Sequence, residues 1–343
     1  FKNQKRVTQK IVLLHRYRTS FMAIVELSNV SKKYGSVQAM DGISFSIPSG
    51  VVFALLGENG AGKTTTIKTM LGLEHPDSGS IKILGLEPAA NDVQIRRQIG
   101  YVPDAPALYG WMRVSEIGWF TSGFYPAGFY DQFVKLASDF ELPLDVKIKT
   151  LSKGGYAKVA LALAMAHQPD LLILDEPTSG LDTLVRRKFL ESMVDVAAAN
   201  RTVFLSSHQI PEVERVADYV AIVNEGQIRV CDRLETLKRE IEQWVITVSN
   251  PNVRLPGFEA CLLSRQGEGK KRQQVFVRKP DPNLLWQLRD TEGVNEVEVN
   301  TPSLEDIFVA YLGSQVRQGF GSETGPSPTT EKVGVSDLEK GGV

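Results

Sequence analysis

The sequence predicts an α/β fold with a largely parallel sheet, followed by a small α+β unit. Three observations carry this. Residues 51–56, 171–174 and 202–205 are short runs, almost wholly apolar, of the kind buried on both faces of a parallel sheet. Helical stretches lie between them, so strands alternate with helices. Past about residue 238 the pattern changes to shorter runs, one of them alternating in polarity.

Taken in order, residues 24–27 and 43–47 read as strands of a sheet with one wet face. Pro48-Ser49-Gly50 turns the chain into the strand at 51–56. A helix is expected over 65–73. Residues 104–150 form the aromatic-rich part, with Tyr109, Trp111, Trp119, Phe120, Phe124, Tyr125, Phe129 and Tyr130, and a helical stretch at 131–140. A long helix follows from about residue 152, then the strand at 171–174, a helix over 183–199 and the strand at 202–205. In the rear unit, 244–248, 275–277 and 294–299 read as strands and 283–289 as a helix. Residues 314–343 are rich in Gly, Ser, Thr and Pro with few large apolar side chains. Such a segment cannot offset its ordering entropy, so a disordered tail is expected. Residues 1–22 hold six Lys or Arg and no acid. They read as a basic extension ahead of a native start at Met22, or as a disordered one.

Composition narrows the class. A net charge of −1 gives no sign of a nucleic-acid partner. Cys231 and Cys261 are the only cysteines and have neither metal nor redox spacing. No apolar run approaches the roughly 20 residues that span a membrane, so any membrane task runs through a partner.

Two motifs carry chemistry. Gly57-Glu58-Asn59-Gly60-Ala61-Gly62-Lys63-Thr64-Thr65 fits the phosphate-binding loop G-x-x-x-x-G-K-[ST]. Its glycines let successive N–H groups point at phosphates, Lys63 reaches the β- and γ-phosphates, and the Thr64 hydroxyl can ligate Mg²⁺. A strand before and a helix after the loop set the phosphates at a helix N-terminus. Asp175 and Glu176 end the strand at 171–174, on the sheet edge where ligands bind. Asp175 is the candidate for Mg²⁺ and Glu176 for orienting an attacking water. Leu151-Ser152-Lys153-Gly154-Gly155 suits a helix cap or an anion site, and the cap is the simpler reading. His208, after Ser206 and Ser207, lies on the same edge, where a lone histidine is more often a bonded loop residue.

These pieces in this order resemble the ATP-binding subunit of ABC transporters, over about residues 23–237. Residues 57–65 match Walker A and 171–176 match Walker B with its catalytic glutamate. Residues 151–155 match the LSGGQ signature with changes, Ser179-Gly180-Leu181-Asp182 the D-loop, and His208 the switch histidine. Tyr34 stands where an aromatic ring stacks on adenine, a contact worth roughly 1–3 kcal/mol. The resemblance implies a P-loop ATPase domain at 23–237, with a RecA-like core, an antiparallel β subdomain and an α-helical subdomain at about 104–165. An accessory α+β unit at 238–313 follows. It implies ATP and Mg²⁺ as ligands and a head-to-tail dimer, with either an identical or a different second ATPase domain. Each ATP then lies between the Walker residues of one domain and Ser152 and Gly154 of the other, and Asp182 links the two sites. A transmembrane permease, engaged through residues 104–150, would hold the subunit at the cytoplasmic face of the membrane.

Three positions depart from the family pattern. Asp104 stands where many members carry Gln, and remains a candidate Mg²⁺ or water contact. Lys153 replaces Gly and Gly155 replaces Gln, while Ser152 and Gly154 are intact. The LSKG form, and Pro302-Ser303-Leu304-Glu305-Asp306-Ile307-Phe308 near the end, are typical of the exporter-type branch. The alternative is a soluble ATPase of the same family acting on ribosomes or DNA. The first kind carries two ATPase domains and the second a long coiled-coil insertion, and neither is present. A non-hydrolysing regulator is opposed by intact Lys63, Asp175, Glu176 and His208.

Overall fold

The structure, a computed structural model, describes residues 23–313; the basic extension and the expected disordered tail lie outside the described residues. The chain opens with β1 (Ala23–Tyr34), β2 (Val37–Pro48), β3 (Val52–Leu56), α1 (Lys63–Met70) and β4 (Ser78–Ile83). Next come α2 (Pro88–Arg96), β5 (Ile99–Val102), α3 (Val114–Ser122), α4 (Phe129–Asp139) and α5 (Lys153–Met165). The strands and helices β6 (Leu171–Asp175), α6 (Thr183–Ala198), β7 (Thr202–Ser207), α7 (Ile210–Val213), β8 (Tyr219–Asn224), β9 (Gln227–Arg233) and α8 (Leu234–Glu240) complete the large unit. The rear part holds β10 (Ile241–Val248), β11 (Leu262–Gln266), β12 (Arg272–Arg278), α9 (Pro282–Arg289), β13 (Val294–Asn300) and α10 (Leu304–Gly313).

Three sheets result. The central one runs β5-β6-β7-β3-β8-β9, parallel throughout except for the antiparallel pair β8/β9. All five residues of β3 and of β6 are buried, as their unbroken apolar runs require. Register decides where the site lies. Leu56 pairs with Ser207 and Asp175 with Ser206. The loops after β3, β6 and β7 therefore leave the sheet side by side on its carboxyl edge.

One face of this sheet is covered by the antiparallel sheet β2-β1-β4. Phe45, Phe53 and Phe204 stack in the layer between, with centroids 5.3 Å and 5.6 Å apart. β1 and β2 run to twelve residues each, well past the expected 24–27 and 43–47. Register shifts along the pair let the strands bend without losing partners, and they blur the alternation that marks a strand in sequence.

Residues 104–165 build a separate apolar cluster around Phe129, Phe133 and Val159, joining α3, α4 and α5. The aromatic-rich stretch divides in two. Phe129 and Phe133 are core, while Tyr109, Trp111, Trp119 and Phe124 are each more than half exposed.

The rear sheet, β11-β12-β10-β13, buries Trp244, Ile246 and Val275 against α9. The helix α10 does not stay with that sheet's core. Its Leu304, Ile307, Phe308 and Tyr311 join the cluster formed by Phe189, Met193, Val213 and the other face of the central sheet. The segment 302–308 has a local physical reason to start a helix there. Ser303 Oγ accepts the Asp306 N–H at 3.1 Å, and Asp306 Oδ2 accepts the Ser303 N–H at 3.1 Å, a reciprocal capping box.

Candidate active site

The phosphate loop leaves β3 at Gly57 and enters α1 at Lys63. Gly62 sits at φ +105°, and a Cβ there would lie 2.2 Å from Ala39 O, so the position excludes every side chain. Gly57 is closed in the same way by Val223 O at 2.6 Å. The left-handed turn at Gly62 starts the helix two residues before the expected 65, and Gly72 at φ +69° follows its end. Glu58, Asn59 and Gly60 are exposed, while Ala61 is buried. Thr65 is partly buried.

Lys63 is 6% exposed and its ammonium has three oxygen neighbours. It donates to Gly57 O at 2.7 Å and Glu58 O at 3.2 Å, and pairs with Glu176 Oε1 at 3.1 Å. The other oxygen of Glu176, Oε2, accepts from His208 Nδ1 at 2.7 Å. A carboxylate can only accept, so His208 carries its proton on Nδ1. Glu176 is held at φ +48°, a left-handed conformation uncommon for a side chain of this size. Its N–H bonds Ser206 O and Ser206 Oγ, which fixes that turn.

Asp175 is 1% exposed, and both of its oxygens are bonded. Oδ2 accepts from Thr64 Oγ1 at 2.9 Å, and Oδ1 accepts from Ser206 Oγ at 2.6 Å. Ser206 therefore ties both acids to β7, and sequence reasoning gave it no role. The available signal was a hydroxyl inside an otherwise apolar strand, at the end facing the loop. Below the acids, burial first and then the charges of Asp175 and Asp104 push the Tyr101 hydroxyl up to about 12.

The remaining candidates sit around this centre. Asp104 is exposed on the bend after β5. Tyr34 is 41% exposed at the end of β1, with Lys32 Nζ 5.4 Å from its ring centre. Burial, then the Glu74 charge, raises its hydroxyl. Ser152 caps α5 by accepting the Gly155 N–H at 3.1 Å, so the simple cap reading describes its bonding within one chain. Asp182 likewise accepts the Val185 N–H at 3.0 Å at the start of α6. Asp104, Ser152, Lys153, Glu176 and Ser179 line one cleft of about 450 Å³. The structure thus brings Lys63, Thr64, Asp175, Glu176 and His208 into direct contact. Ser152 lines that cleft together with Glu176, Gly154 is buried at the start of α5, and no hydrogen bond among the described residues joins either of them to residues 57–65.

Comparison with known proteins places the chain in a family. The family model described as ABC transporter matches residues 40–179, and an AAA-domain model matches 148–213. The chain is 34% identical to a Nod factor export ATP-binding protein I of Sinorhizobium fredii, over 85% of this chain and 87% of that one. It is 29% identical to the bacitracin transport ATP-binding protein BcrA of Bacillus licheniformis, over 84% and 97%. A solved ATP-binding subunit of an ABC transporter superposes with a TM-score of 0.58 at 32% identity, covering 63% of this chain and 92% of that one. The chain belongs to the ATP-binding subunits of ABC transporters and is an ATPase with their P-loop fold.

Proposed function

We infer that this subunit closes head to tail on a second ATPase domain around two ATP molecules, and that closure and hydrolysis drive an exporter-type transmembrane partner. The observation that carries the catalytic half is the shared carboxylate. Glu176 is ion-paired with Lys63 through one oxygen and hydrogen-bonded by His208 through the other.

That sharing gives an order of events. Phosphate oxygens arriving in the 57–65 loop compete for the Lys63 ammonium. When Lys63 turns to them, Glu176 Oε1 loses its ion-pair partner and becomes free to accept a water proton. His208 keeps Oε2, and with it the position of the attacking water, fixed through its Nδ1–H. Tyr34 offers its face to the adenine ring. Ser152 and Gly154 serve the partner's ATP, and Asp182 couples the two sites.

Mg²⁺ fits the residues present. The Thr64 hydroxyl and the Asp175 carboxylate are hard oxygen donors 2.9 Å apart. Among the described residues no group of three or more acidic, His or Cys side chains could hold a metal. That matches an ion held by one carboxylate plus substrate phosphates. Bound there, it would neutralise charge on the transferring phosphoryl group. Asp104 is the candidate for a further contact through water.

Support for the membrane half comes from the surface. No helix among the described residues is long and apolar enough to cross a bilayer. Trp119 and Phe124 are 70% and 72% exposed, and Tyr109, Trp111, Phe120 and Phe124 form a chain of ring contacts 5.6–6.0 Å apart. An apolar patch of this kind marks an interaction surface. It suits a permease that holds the subunit at the cytoplasmic face of the membrane. The relative named for Nod factor export favours export.

Two experiments test the reading. Lys63→Ala should abolish ATP turnover, and near-normal turnover would sink the assignment of the loop. The protein should sediment with membranes only when a cognate permease is co-expressed; equal sedimentation without one contradicts the coupling.

A further inference from the structure

The segment that carries His208 runs straight into α7, and α7 is tied on both sides. Glu212 pairs with Arg186 Nη1 at 2.5 Å, and Arg186 Nη2 donates to Leu181 O at 2.8 Å, next to Asp182. Glu214, at the end of α7, accepts the Leu304 N–H at 3.3 Å and pairs with Lys238 through the same oxygen. Ile210 and Val213 are buried in the cluster that holds Leu304, Ile307 and Phe308. The helix α10 therefore seats on the seven-residue stretch 208–214, which starts at the switch histidine. At its far end Arg278 joins β12 to Asp232 and Glu240 at 2.8 Å each, and to the Tyr311 hydroxyl at 3.4 Å. The rear sheet, α10 and the His208 segment form one continuous chain of contacts.

The geometry points to α10 as a strut that sets the position of His208 against Glu176, with Glu214 as the positioning residue. The rear unit thereby governs the hydrolytic step rather than nucleotide binding. Among the described residues Lys63, Thr64 and Tyr34 make no bond to α7, α10 or the rear sheet, and Lys63 meets the His208 segment only through Glu176, so the strut acts on the acid and not on the groups that hold ATP. The inference rests on the reading of His208 as part of the hydrolytic site.

The test compares Glu214→Ala, Glu214→Gln and His208→Ala in the full chain, with urea midpoints measured alongside ATPase kinetics. A misplacement of about 1 Å can cost on the order of 100-fold. Glu214→Ala is expected to lower kcat by about 10- to 100-fold with KM for ATP unchanged. Glu214→Gln keeps an acceptor for the Leu304 N–H and should recover most of that loss. In the His208→Ala background, Glu214→Ala should add nothing, because both act through one group. Equal loss in kcat and KM, or multiplicative losses in the double variant, overturns the strut. Unchanged kcat in His208→Ala alone overturns the role of His208, a failure recognisable as distinct. If Glu214→Gln is as impaired as Glu214→Ala, the hydrogen bond to Leu304 is not the link.

Discussion

Ser206→Ala is the sharpest test of how the two acids are held. The Ser206 side chain is fully buried and makes two bonds, donating to Asp175 Oδ1 at 2.6 Å and accepting the Glu176 N–H at 3.1 Å. Alanine keeps the second link in part, because the Glu176 N–H retains Ser206 O at 3.2 Å. The first has no replacement, and Asp175 is 1% exposed. A hydrogen bond to a charged group contributes about 1.5–3 kcal/mol, and leaving a buried acceptor unmet costs as much. With a urea slope of roughly 3 kcal/mol/M, the unfolding midpoint should fall by about 0.5–1 M. Tryptophan fluorescence during urea titration gives the midpoint, and steady-state ATPase activity gives the second reading. Turnover should drop more than ATP affinity, since Lys63 and the loop glycines are untouched. A midpoint within about 0.2 M of wild type would show that the buried hydroxyl contributes nothing and that the account of the acid pair is wrong.

Other expected outcomes follow from single groups. Tyr34→Ala should weaken ATP binding by about 5- to 150-fold, the equivalent of a base stack of about 1–3 kcal/mol, with turnover at saturation unchanged; nucleotide titration checks it, and unchanged affinity removes Tyr34 as the adenine platform. His167 donates from Nε2 to Ile99 O at 3.1 Å and leaves Nδ1 buried without a partner. Burial lowers its pKa from 6.5, so the unfolded chain binds the proton first. Stability should hold above pH 6.5 and decline as the pH falls below it toward the lowered folded value. Urea midpoints at about pH 7.5 and pH 5.5 should differ in wild type and differ less in His167→Asn; an equal difference in both refutes the assignment.

Much of the site was legible because its chemistry demands local patterns. A loop that must wrap phosphates needs glycines at fixed offsets, and a buried strand that ends in two acids announces its edge. Lys63, Thr64, Asp175 and Glu176 belong to those two patterns, whereas His208, which the structure sets against Glu176, has no local pattern of its own. Ser206 was not legible, since a single hydroxyl has no periodicity and its partners lie 31 and 30 residues away. Among strands, β6 and β7 read clearly because both faces are buried. β4, β5, β8, β9 and β11 did not. β5 is only four residues long, and β4 and β9 carry exposed or half-buried side chains that break the apolar run. A separate sheet begins with β10 at Ile241, yet α10 packs back onto the large unit. Its capping box is local and readable, whereas its destination depends on Val213 and Phe189, distant in sequence. The aromatic stretch looked uniform because composition does not separate Phe133, fully buried, from Phe124, 72% exposed.

The central claim is that two chains close around ATP, with Ser152 and Gly154 of one completing the site of the other. The direct measurement is the solution mass of Glu176→Gln with and without MgATP. Losing the carboxylate base should trap ATP unhydrolysed and shift the protein from monomer to dimer, and Ser152→Arg added to it should abolish the shift. A Glu176→Gln protein that binds ATP and stays monomeric, or a dimer indifferent to Ser152→Arg, contradicts the claim.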